Sequence, residues 1–90
     1  MSSVHLVFTS SNVRPLSSLG EGTHGVIAEV RAHPTARVDR LLALGVTPGA
    51  VVRVLQTFPG VVFLCDQTEL AVERSVADAI LVRLPPEVRR

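Results

Sequence analysis

The stretch RLLALGVTPGAVVRV, residues 40–54, changes its conformational preference within a few residues. Arg40 to Leu44 favour a helix, Gly45 breaks it, and Thr-Pro-Gly opens a block of valines. The helix is expected over about residues 35–44, with Pro34 and Thr35 opening it and Thr35 as N-cap. Val38, Leu41, Leu42 and Gly45 follow i, i+3, i+4, i+7 spacing and mark the face turned to the core, whereas Arg37, Asp39 and Arg40 fall on the solvent side. Gly45 stands where a left-handed residue ends a helix. Pro48 and Gly49 form the centre of a second turn, Pro presetting φ and Gly supplying φ > 0. A short helix stopped this abruptly is a connector that returns the chain to a strand.

The strands carry the rest. VIAEVRA, residues 26–32, alternates Val26, Ala28 and Val30 against Glu29 and Arg31 and reads as half-buried. AVVRVLQT, VVFLC, TELAVE and ILVRL follow, with Thr68, Leu70 and Val72 opposed to Glu69, Ala71 and Glu73. The VVFLC–TELAVE hairpin must turn at Asp66-Gln67, and a short helical turn falls near residues 74–79. Sixteen valines against three phenylalanines suit strands filled by branched aliphatics. About five short strands at this turn spacing make a mainly β chain, a small closed or partly open barrel.

Ninety residues allow one domain, burying about 60–65% of the unfolded surface with no room for a large cavity. Residues 1–14 form an N-terminal arm, either disordered or an added strand through Leu6 and Phe8. Residues 15–84 form the barrel and 85–90 a C-terminal tail, with Pro85-Pro86 ending the last strand.

Composition excludes several functions. All nine basic residues are arginine, scattered among eight carboxylates, and the net charge of +1 exerts little pull on phosphate or an anionic membrane. One cysteine, Cys65, cannot form an internal disulfide, which fits a reducing compartment. No stretch approaches the ~20 apolar residues of a membrane span, so the chain reads as cytoplasmic, without direct membrane insertion. His5, His24, His33, Cys65 and Asp66 are too dispersed for metal ligation, and no cofactor is expected. GEGTHG lacks the Gly-Lys-Ser/Thr ending of a P-loop, and Ser10, Ser11, Ser17, Ser18 and Ser75 have no nucleophile context. The chain therefore reads as a non-enzyme.

RLLALGVTPGAVVRVLQTFP and ELAVERSVADAILV, taken in that order, resemble the FeoA family. Arg40, Leu41, Leu44, Gly45, Pro48 and Gly49 match the first half of its pattern, and Ala71, Val72, Ala77, Ile80 and Val82 the second. Leu19, Gly22 and Ile27 match its opening. The resemblance covers about residues 15–84. The chain departs from the family at the hairpin, where Asp66-Gln67 replaces a glycine, at Glu73, where relatives carry an arginine that here comes one place later as Arg74, and around Pro59-Gly60, which is short.

The resemblance implies an SH3-like barrel of about five strands, without catalysis. It implies a role beside FeoB, a membrane ferrous-iron transporter with a cytoplasmic G domain, through protein contact. Related domains end DtxR-type metal-dependent repressors, so a stand-alone metal-responsive regulatory module is an alternative. A small nucleic-acid-binding barrel is another, disfavoured because single-strand binders need aromatic platforms and a basic groove; no nucleic-acid partner is expected. The candidate partner face is on the helix: Arg37 and Arg40, flanking Ala36 and Ala43, with Val46 close by. Leu41, Leu44, Gly45, Pro48 and Gly49 are structural.

Overall fold

The helix stop at Gly45 is a Schellman motif. In the computed structural model, which describes residues 12–32 and 37–85, helix α1 spans Val38–Ala43. Gly45 follows at φ 96°. Its N–H donates to the Leu42 carbonyl at 3.0 Å, and the Val46 N–H donates to that of Leu41 at 2.9 Å. This pair of back-reaching bonds defines the motif and folds the second residue past the helix onto its last turn. Leu41 and Val46 accordingly both enter the core. Gly49, at φ 97°, makes the second turn, and its N–H donates to the Ile27 carbonyl.

The helix is shorter than expected, and Leu42 is a correction. It is 48% exposed, because a six-residue helix presents only about one side chain squarely to the core at 100° per residue, and that residue is Leu41. Pro34, Thr35 and Ala36 lie outside the described residues, as do residues 1–11, with Leu6 and Phe8, and 86–90.

Among the described residues six antiparallel strands build one sheet: β1 (Val13–Pro15), β2 (His24–Val30), β3 (Val51–Gln56), β4 (Val61–Cys65), β5 (Thr68–Val72) and β6 (Ile80–Arg83). Their spatial order is β1-β6-β2-β3-β4-β5. The strand beyond the expected five is β1, which takes in Val13 and Arg14 from the end of the arm and pairs with β6. A 3₁₀ turn at Leu16–Ser18 buries Leu16. Helix α2 (Arg74–Ala77) fills the expected helical turn and buries Ala77.

The face of β2 is a second correction. Val26 is exposed and Ile27 is 1% exposed, the reverse of the simple alternation. Ile27 pairs with Val82 and Glu29 with Leu81, so Ala28 is an extra residue on β2. Such a bulge moves every later side chain to the other face. Gly25 and Ile27 therefore face inward before it and Val30 packs inward after it.

Rows of paired residues fill the interior: Val52 with Cys65, and Val54 with Phe63. Phe63, Leu16, Ile27 and Ile80 are the largest wholly buried side chains, each contributing about 1.5–3 kcal/mol by leaving water. The hairpin departure is accommodated without glycine. Asp66 takes φ 55°, a left-handed conformation that Asp tolerates better than most residues. Its carboxylate accepts the Val51 N–H at 3.2 Å, tying the turn to the start of β3.

Candidate functional site

Helix α1 brings the expected partner residues to one surface, with one exception. Arg37, Arg40 and Ala43 are exposed. Val46 is 0% exposed and cannot touch a partner, because the Schellman fold-back drives it under the helix. Leu44, regarded from the sequence as structural, is 47% exposed. It supplies the apolar part of the surface that Val46 was expected to supply, whereas Leu42, two positions away on the helix, points to a different side. Exposed leucines near the helix end are not separable from core leucines by spacing alone, since the motif that buries Val46 decides which side chains are left outside.

The surface borders a groove of about 300 Å³ between α1, the end of β5 and α2. Leu41, Leu44, Val72 and Val76 give it an apolar lining, and Arg37 and Arg40 stand on its helix side. Arg37 reaches the Asp39 carboxylate at 3.4 Å, and this guanidinium, by hydrogen bond and by charge, holds the Asp39 carboxyl below its ordinary value. Arg40 enters no ion pair among the described residues. A second groove, of about 570 Å³, lies between Pro59-Gly60 and Arg74-Ser75 and shares Ala71, Val72 and Glu73 with the first.

Arg74 stands where the chain departs from the family pattern, and the structure gives it a role that spacing did not show. Its guanidinium donates to the Thr57 carbonyl at 2.6 Å and to the Ser17 carbonyl at 2.9 Å. Ser17 and Asp78 hydrogen-bond side chain to side chain beside it. The β3–β4 loop is thereby held with Phe58 79% exposed at its tip.

The remaining charges are dispersed. Arg53 and Arg83 lie on the outer face of the sheet around His24, Val26 and Val51, and Arg31 pairs with Glu29 at 3.5 Å. Among the described residues no three His, Cys, Asp or Glu side chains come together. His5 and His33 lie outside them, and His24 and Asp66 stay exposed on separate elements. Cys65 is buried, and its thiol donates to the Gly45 carbonyl at 3.3 Å. Burial, and secondarily the Asp66 charge, push that thiol above its ordinary value. Among the described residues no helix is long and apolar enough to cross a membrane.

The comparisons agree with this fold. A FeoA domain matches residues 14–84. The crystal structure of an iron uptake regulatory protein (FeoA) superposes with a TM-score of 0.69 at 30% identity, over 79% of this chain and 96% of that one. The FeoA protein from Chlorobium tepidum superposes at 0.71 with 29% identity, over 82% and 73%. T. acidophilum IdeR shares the fold, with a TM-score of 0.75 at 18% identity, over 87% of this chain and 37% of that one. Among curated proteins, none matches the sequence. With an SH3-like sheet, the Gly45 and Gly49 turns and a domain match spanning most of its length, the chain belongs to the FeoA family.

Proposed function

We propose that this chain is a non-enzymatic, cytoplasmic accessory protein of bacterial ferrous-iron uptake, and that it acts by contact with a FeoB-type membrane transporter through the α1 face. The observation that carries this reading is the composition of that face: Arg37 at the helix N-cap, Arg40, and Leu44 at the C-cap are all exposed and border one groove. An exposed apolar side chain flanked by arginine suits a protein contact, where arginine is enriched and lysine depleted. The guanidinium fork pairs with carboxylates in two parallel bonds, which fixes orientation as well as affinity. Family membership supplies the iron-uptake context.

The test is capture of purified FeoB-type transporter by the immobilised protein, with and without a GTP analogue. Saturable binding is expected. A folded protein that binds no transporter in either nucleotide state overturns the reading.

A further inference from the structure

Among the described residues strand β5 ends the sheet, with β4 as its neighbour on one side. The two-residue Asp66-Gln67 turn makes Cys65 and Thr68 a hydrogen-bonded pair, and antiparallel alternation then gives the same status to Phe63–Leu70 and Val61–Val72. The N–H and C=O groups of Glu69 and Ala71 therefore point away from β4. None of the other backbone hydrogen bonds among the described residues involves either residue. An edge of this kind is a template for another strand unless something blunts it. The Arg-lined groove opens beside it, with Ala71 and Val72 in its wall.

We propose that β5 accepts an extended segment of a protein partner as an added strand, hydrogen-bonded to Glu69 and Ala71. This rests on the docking role of the α1 face and specifies what that face receives. The chemistry of the segment follows from what each of its faces meets. Side chains turned inward meet Leu44, Val72 and Val76, so they are apolar, and one farther along carries a carboxylate to Arg37 and Arg40. Side chains turned outward run beside Glu69, Ala71 and Glu73, all exposed, so they are basic or neutral, since like charges opposed across strands are destabilising. Main-chain bonds supply affinity and the alternating side chains supply selectivity, the established logic of strand addition.

The probe is the peptide acetyl-Arg-Val-Arg-Leu-Ser-Glu-Ser-amide, whose even positions face inward. On saturation, the amides of Glu69 and Ala71 in the isotope-labelled protein are expected to exchange about tenfold more slowly with solvent. Replacing the peptide's Glu by Gln should weaken binding about three- to fivefold, in keeping with a solvent-exposed ion pair. Ala71→Pro removes an outward N–H that the β4 ladder does not use, a position where an edge strand tolerates proline; its melting transition should stay cooperative while peptide binding is lost. Absence of binding, no added protection at Glu69 and Ala71, or full binding by folded Ala71→Pro overturns the proposal. The two readings separate with transporter as ligand. If Arg37→Glu/Arg40→Glu weakens that binding and Ala71→Pro does not, the docking face stands and strand addition fails.

Discussion

The Cys65 thiol donates to the carbonyl of Gly45 at 3.3 Å, joining the end of β4 to the residue that stops helix α1. The bond crosses from the sheet to the connector that carries Arg37, Arg40 and Leu44. It ties the α1 surface to the core at the same point where the left-handed turn releases the chain toward β3. The orientation of the surface therefore depends on the Gly45 conformation.

Gly45→Val tests that dependence. No atom lies within 4 Å of an added Cβ at this position, so its cost is backbone strain alone. A branched residue at φ 96° should lower stability by about 1–3 kcal/mol. Against a total on the order of 5–15 kcal/mol for a native domain, chemical denaturation resolves the loss readily. Unchanged stability would mean that the helix can end another way.

Gly25→Ala should be destabilising for a different reason. A Cβ there falls 2.6 Å from the Arg83 carbonyl oxygen and 2.7 Å from a Val82 methyl, both on β6 and neither at the loose end of a flexible chain. Forcing β2 and β6 apart is expected to cost about 1–3 kcal/mol, the usual range for an overpacked interior. Urea unfolding of the alanine variant measures it.

The thiol predicts an alkaline response. Burial raises Cys65 above its ordinary value of 9.0, so as pH rises the unfolded chain loses this proton before the folded one does. The thiol's contribution is thus fully present below pH 9.0 and declines above it, as the unfolded state gains by ionising first. Wild type should lose stability over that interval more steeply than Cys65→Ala, and native Cys65 should react with iodoacetamide far more slowly than the unfolded chain. Parallel pH dependences for the two proteins would contradict the assignment.

Arg74→Ala should loosen the β3–β4 loop. Its guanidinium spans the Thr57 and Ser17 carbonyls, and a bond from a charged donor contributes about 1.5–3 kcal/mol, reduced here by exposure to about 1 kcal/mol. Amide exchange over residues 57–62 should quicken while the rest of the sheet is unaffected. Arg74→Lys should not restore protection, because a single ammonium lacks the fork that reaches both carbonyls.

Much of this architecture is legible in the sequence, for reasons tied to single residues. Gly45 and Gly49 announce left-handed turns because few other residues adopt them cheaply, and the valine runs announce strands. The inward face of β2 is not legible, because the bulge at Ala28 depends on pairing with β6, which local alternation does not encode. The same holds for Val46 and Leu42. Both are apolar and flank the same turn, but the Schellman fold-back buries Val46, whereas Leu42 lies about 100° around the helix from the buried Leu41 and is exposed. Arg37, Arg40 and Ala43 were readable as a surface because charge and helical spacing agree. The groove beside them was not, since it is made by the distant β5 and α2. Arg74 gave no signal beyond its departure from the family pattern, because its partners are carbonyls rather than acids.

The measurement that tests the account most directly is the affinity of purified FeoB-type transporter for wild type and for the Arg37→Glu/Arg40→Glu variant, with melting temperatures recorded alongside. Both guanidinium groups are exposed, so the fold should be unaffected. Reversing two rim charges should weaken binding at least about tenfold, or ~1.4 kcal/mol. Equal affinity of the two folded proteins would contradict the assignment of the α1 face as the docking surface.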